Sequence, residues 1–298
     1  MNSNKANPLW RITKAWCSGP RFLLICIFFI SACTSLSHRI TEESKEFRSP
    51  SETKAIISVL KNQNQTLKTI KGVGKITFLE SEKKEITTRI AWVASTPDKI
   101  RITLSSFSGH PMVSAASDGQ WFYFISHANG DFYKKRSSNV NMKRFFSISI
   151  KSEDIINILF GRIPLVEYDS AILVENRPIK GRSGKVVESA EVSSLNNDIK
   201  GNKNGDVLLL KNRWRNIREK IYLNDKEDAY KIEMFDLTGE IVYRVELIRM
   251  EEIDSYRVPY RMRVSNDHGV GFQLDMDRYW VDAAVSPSVF TLTPPKQN

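Results

Sequence analysis

The chain has 298 residues, with 44 Lys and Arg against 34 Asp and Glu, four histidines and three cysteines. That length holds one large domain or two small ones. The excess of base is interspersed with acid as on a solvated surface, and neither a basic stripe nor a nucleic-acid-binding motif occurs, which argues against nucleic acid as a partner.

The first feature is an apolar run, "FLLICIFFISAC", at residues 22–33. It is too short to span a bilayer, which takes roughly 20 apolar residues. The residues before it carry Lys5, Arg11, Lys14 and Arg21 and no acid, the charge asymmetry of a secretory signal. The run ends Ile30, Ser31, Ala32, Cys33, a branched apolar residue and two small ones before a cysteine, which resembles the lipobox of bacterial lipoproteins. The resemblance implies that Cys33 takes a diacylglycerol thioether, that residues 1–32 are cut away, and that the freed amine is acylated. Cys26 follows the bulky Ile25 and Cys17 precedes the apolar core, so both leave with the signal. One cysteine then remains and carries lipid, which removes disulfides, thiol catalysis and cysteine–metal sites. The remaining 266 residues (298 less 32) hold 40 basic against 34 acidic side chains, a modest surplus that suits standing near anionic lipid. Thr34 follows the cysteine where many inner-membrane lipoproteins have aspartate, so the lipoprotein rule points to the outer membrane.

Residues 33–48 form the lipidated cysteine and a polar, aperiodic tether; a single domain follows at 49–295. Ser49, Pro50 and Glu52 give a capping box with proline at the first helical position, predicting an amphipathic helix to about Thr69. From Gly72 the apolar period changes from 3.6 to two. Ile86, Thr88, Ile90, Trp92 and Ala94 share one face of a strand, and Ile100, Ile102 and Leu104 one face of the next. Turn pairs at Pro97-Asp98, Asp118-Gly119 and Asn129-Gly130 separate such runs. In "WFYFIS", Trp121, Tyr123 and Ile125 point one way and Phe122 and Phe124 the other.

The alternation breaks at "KSEDIINILFGRIP", where Ser152 is a cap, Ile155, Ile156, Ile158, Leu159 and Phe160 are apolar, and Gly161 and Pro164 are stop signals. A helix this apolar is covered by the concave face of the sheet. Strands resume near 170–175, 205–210, 217–223, 229–236, 240–250, 260–264 and 271–277. Residues 176–206, rich in Gly, Asn, Ser and Lys, read as a long mobile loop with one short strand at 185–189. The expected fold is mainly β with some α: a single curved antiparallel sheet around helices with one core.

The chemistry of an enzyme is thin. His38 lies in the tether, and His110, His127 and His268 sit in or beside turns, none paired at metal-site spacing. "GVGK" at 72–75 and "GRSGK" at 181–185 lack the spacing of a phosphate loop. Asp275 and Asp277 alternate as on an exposed strand face, and nothing selects a catalytic carboxylate pair. No enzyme activity and no cofactor are expected. The inner sheet face, with Ile76, Phe78, Ile90, Trp92, Ile102, Leu104, Trp121 and Tyr123, either packs dry or leaves a pocket.

Residues 67–109, "LKTIKGVGKITFLESEKKEITTRIAWVASTPDKIRITLSSFSG", with "IINILFGRIP" at 155–164, resemble the Lol lipoprotein-sorting family, above all its outer-membrane receptor branch, LolB. The matching positions are Gly72, Gly74 and Ile76, Trp92, Pro97, Asp98 and Arg101, Gly109, and Gly161 and Pro164. The C-terminal "SPSVFTLTPP" is closer to the periplasmic carrier branch, LolA, which ends on a strand before a proline. The resemblance implies an unclosed β-barrel with helices as a lid. It also implies a cavity for lipoprotein acyl chains or lipid, lined by the sheet residues just named and by Ile155, Ile156 and Leu159. A periplasmic carrier would be a partner, the outer-membrane bilayer the anchor of Cys33, and Phe107 in "SSFSGHP" the membrane-facing side chain. The alternative is a sensor or assembly lipoprotein of the same fold that binds a protein through the 176–206 loop.

Overall fold

Ser49 and Glu52 close on each other at the start of the first helix: the Glu52 amide donates to Ser49 Oγ at 3.3 Å and the Ser49 amide to Glu52 Oε2 at 2.8 Å. The computed structural model describes residues 48–80, 85–136, 143–176, 179–180, 186–187 and 205–295. The expected signal and tether, with Cys33, fall on residues up to 47, which lie outside the described residues, as does most of the 176–206 segment.

Helix α1 is Pro50–Asn62, shorter than the periodicity predicts. Asn64 ends it, because its backbone takes a left-handed φ of 53° and its side-chain amide donates to the carbonyls of Phe160 and Arg257, both at 2.7 Å. Leu67, which continued the helical pattern, is fully buried from the turn after the helix, its amide donating to the Asn64 carbonyl at 3.1 Å.

The strands follow as β1 (Thr69–Leu79), β2 (Glu85–Ser95), β3 (Lys99–Ser105), β4 (Pro111–Asp118), β5 (Trp121–Ser126) and β6 (Phe132–Arg136). Two helices intervene, α2 (Lys143–Phe146) and α3 (Ser152–Leu159). Then come β7 (Ser170–Asn176), a small hairpin of β8 (Ile179–Lys180) and β9 (Val186–Val187), β10 (Gly205–Lys211), β11 (Ile217–Leu223), β12 (Ala229–Phe235), β13 (Ile241–Ile253), β14 (Tyr256–Ser265) and β15 (Gly271–Val281). Ser152 is the first helical residue of α3 and not its cap; Lys151 holds the cap position with extended backbone and no side-chain bond.

Thirteen strands join one antiparallel sheet in the order β6-β5-β4-β3-β2-β1-β15-β14-β13-β12-β11-β10-β7. The pairing of β1 with β15 joins two meanders back to back, and β6 and β7 are left as free edges, so the sheet does not close into a barrel. Register shifts within β1, β3, β10, β11, β12 and β13 mark bulges, which bend and twist a strand. The curvature is visible in α3, which touches both β3 and β14, strands four places apart.

One large apolar core fills the concave side between the sheet, α1, α2 and α3. A second, small cluster lies on the outer face of β4 and β5. The C-terminal segment covers it: a 3-10 turn, Pro287–Phe290, accepts a bond from Arg101 through the Val289 carbonyl at 3.3 Å, and Phe290 and Leu292 are buried. The segment does not end on a strand as the carrier-branch resemblance implies.

Candidate functional site

The concave face of the sheet beneath α3 is the candidate site. Alternation along β1 to β3 sends Ile76, Ile90, Trp92, Ile102 and Leu104 to this face, where all five are buried in the main core, with Phe78 partly buried against it. Ile155, Ile156 and Leu159 of α3 join the same core, so sheet and helix residues expected around a cavity do meet.

Gly72 and Gly74 are where they are because of this packing. A Cβ on Gly72 would lie 2.6–2.8 Å from Met276 and the Trp92 ring, and one on Gly74 would strike the Asp275 backbone. Gly72 thus leaves room for the Trp92 indole, which meets Tyr279 edge-on at 5.7 Å, while Gly74 lets β15 approach β1 closely. Among the described residues the buried Trp92 indole N–H has no hydrogen-bond partner.

Trp121 and Tyr123 do not belong to this site. They sit in the outer cluster with Ala116, Ile125 and Leu292, while Phe122, one residue away, packs against the main core. The register explains it: Tyr123 pairs with Ala116, which pairs with Arg101, the residue reaching outward to the C-terminal segment. The Tyr123 hydroxyl donates a hydrogen bond to Asp118 Oδ2 at 2.8 Å. Phe107 sits at the β3–β4 turn with 65% of its surface exposed.

Three polar groups, Tyr243 and Glu219 of the sheet and the first-turn acid Asp154, hold α3 and its following segment to the sheet. Tyr243 of β13 donates to Asp154 Oδ2 at 3.0 Å, and the Val166 amide donates to Glu219 Oε2 at 3.0 Å. Glu219 on β11 is fully buried and its other oxygen has no partner among the described residues. Burial pushes its carboxyl up to about 8, with the Val166 amide opposing and the Asp154 charge adding to the shift. Burial also raises Asp154, against the Tyr243 bond, and lifts the Tyr243 hydroxyl well above its ordinary value. At neutral pH Glu219 is therefore a neutral acid inside an apolar face. Its placement was legible, since the alternation that buries Ile221 and Leu223 points Glu219 the same way.

The arrangement suits burial of hydrocarbon. Among the described residues no group of three or more His, Cys, Asp or Glu side chains could hold a metal ion, and no helix is long and apolar enough to cross a membrane.

Comparison with solved structures gives this open, curved antiparallel sheet with an apolar helix laid across it a Lol-like fold. A DUF1329 family protein from Desulfovibrio piger aligns at TM-score 0.53 and 13% identity, over 80% of this chain and 97% of its own. An outer membrane lipoprotein-sorting protein domain from Vibrio parahaemolyticus aligns at TM-score 0.51 and 12% identity, over 80% and 96%. No protein-family model matches the chain, and no curated protein sequence matches it.

Proposed function

We propose that this is a non-enzymatic envelope lipoprotein, anchored through Cys33 at the periplasmic face of the outer membrane. It receives acyl chains of lipoproteins or lipid on the concave face beneath α3, from a periplasmic carrier. The observation that carries this reading is the make-up of α3: its buried side chains are Ser152, Ile155, Ile156, Ile158 and Leu159, and they occupy the concave face as a hydrocarbon chain would. Each methylene taken from water into such a face is worth about 0.8 kcal/mol. Replacing the helix by an acyl chain therefore exchanges one apolar filling for another, opposed by the packing of α3, by the Tyr243–Asp154 and Val166–Glu219 bonds, and by the bonds that tie Phe160 and Arg162 at its C-terminal end to Asn64 and Leu67. The fold shared with a lipoprotein-sorting domain supports the same cargo class.

Release follows from competition with the bilayer. A lipid at Cys33 keeps the domain beside its acceptor membrane and raises the acceptor's effective concentration. Mass spectrometry of the full-length protein purified from membranes tests the reading: acyl species co-purify with the parent and are lost from Ile102→Trp, whose bulkier side chain fills the face below α3. Equal recovery from both, or none from either, overturns it. Metabolic labelling with palmitate tests the anchor, and a Cys33→Ser variant labelled as strongly as the parent removes it.

A further inference from the structure

The hairpin turns at one end of the sheet carry apolar residues that their own geometry does not require. β3, β10 and β12 run in the same direction across the antiparallel order, so the turns that follow them emerge at a common end. Those turns hold Phe107, Trp214 and Leu237, exposed at 65%, 64% and 67%. Turns at the opposite end carry Pro97-Asp98, Gly119-Gln120, Asp225–Lys226 and Asp254-Ser255, with no large apolar side chain beyond the proline.

Four turns share one construction, in which the side-chain oxygen of the first residue accepts the amides of the third and fifth. Asn212 accepts from Trp214 and Asn216, Asp236 from Thr238 and Glu240, Asn266 from His268 and Val270, and Asn224 from Lys226 and Asp228. In the last two the tips are Asp267-His268 and Asp225-Lys226, so polar residues satisfy this turn. Trp214 and Leu237 are therefore not there for the turn. The two hairpins are neighbours, β10–β11 beside β12–β13, which sets their tips about 10 Å apart at ordinary strand spacing.

Charge identifies the occupant. Arg213 and Arg215 flank Trp214, and the Arg213 guanidinium stacks on its ring at 4.1 Å. An indole between two guanidiniums matches the headgroup zone of a bilayer, where the ring enters the apolar boundary and the arginines meet phosphates. The Leu237 turn itself carries two acids, Asp236, whose ionised carboxylate accepts from its own turn, and Glu240, so the attraction to anionic lipid comes from Arg213 and Arg215 alone and Leu237 contributes apolar contact. We propose that the adjacent Trp214 and Leu237 turns dock the domain on the surface of a bilayer containing anionic lipid, with Phe107 at the same end. This inference rests on the envelope location proposed above and is independent of the acyl-binding face.

The test is quenching of Trp214 emission by phospholipids brominated on their acyl chains, with the full chain carrying its Cys33 lipid. Vesicles are phosphatidylcholine alone or two parts phosphatidylcholine to one part phosphatidylglycerol. The Trp214 signal is the difference between the parent and Trp214→Phe. It is quenched in the mixed vesicles, and Arg213→Glu and Arg215→Glu each lower the docked-to-undocked ratio by about fivefold. A Leu237→Ser variant, which keeps Trp214 and alters only an exposed tip, lowers quenching as well. A difference signal unquenched in both vesicle types overturns the inference and leaves the tips to a protein partner; arginine variants quenched as strongly as the parent also overturn it. Quenching retained without co-purified acyl chains would sink only the proposed function, and the reverse result only this inference.

Discussion

Tyr243 and Asp154, 89 positions apart in sequence, meet at 3.0 Å across the concave face, the hydroxyl of β13 donating to the first-turn carboxylate of α3. The bond is the one side-chain hydrogen bond from α3 itself to the sheet among those the described residues make, and it stands at the helix end from which the apolar face extends. Tyr243→Phe keeps the ring and removes the donor, leaving a largely buried carboxyl without its partner. The expected loss is about 1–3 kcal/mol in urea unfolding. If α3 is the element that yields to cargo, the same variant also takes up a fluorescent fatty acid faster than the parent; an unchanged uptake rate detaches this bond from gating.

Two buried glutamates on opposite faces of the sheet give opposite pH dependences. Glu219, lifted by burial to about 8, binds a proton in the folded chain that the unfolded chain has released above about 4.5. Its contribution is therefore fully present below that lower value and declines, by up to about 1.4 kcal/mol per pH unit, as pH rises towards 8. Glu219→Gln removes this decline. Burial alone would raise Glu233, but Lys231 at 2.9 Å, Tyr222 at 2.8 Å and Arg244 at 3.0 Å outweigh it and hold its carboxyl below the usual range. That contribution is present above the unfolded value and is lost as pH falls through the folded one, so Glu233→Gln flattens the acid limb. Urea titrations at a series of pH values separate the two.

Gly161 and Gly109 both take left-handed backbone, with φ of 69° and 90°, yet alanine is expected to cost different amounts. At Gly109 nothing stands within 4 Å of the new methyl, leaving about 1–2 kcal/mol for the conformation. At Gly161 the methyl also strikes the Arg257 carbonyl, beside the Asn64 side chain that ties α1 to this corner. Gly161→Ala therefore destabilises clearly more than Gly109→Ala in the same denaturant assay, and equal values would show that the corner relaxes freely.

Leu292→Ala uncovers the outer cluster of Ala116, Tyr123 and Ile125, against which Trp121 packs. The loss expected for a buried leucine is about 2–5 kcal/mol. A shift of Trp121 emission, taken against Trp121→Phe, localises the effect to the outer face, and its absence would separate the C-terminal segment from this cluster.

The strands of the sheet and the helix at α3 were legible because a half-buried strand alternates every second residue and an apolar helix has nowhere to go but inside. The ends were less so. α1 stops at Asn62 because Asn64 reaches to Phe160 and Arg257, partners 96 and 193 positions away that no local pattern announces. "WFYFIS" divides into two faces by inspection, but both faces are aromatic, so alternation does not say which is concave; burial of Trp121 and Tyr123 under Leu292 follows only from where the C-terminal segment lies.

By itself the sequence determined the period of each element and the turn residues, since these depend on neighbours within a few residues. Tertiary structure alone decided which face of β5 looks inward, that an acid on β11 sits neutral beneath α3, and that Trp214 and Leu237 emerge side by side. Each of those depends on strand order and curvature, through which residues far apart in the chain come to share one dielectric environment or one end of the sheet.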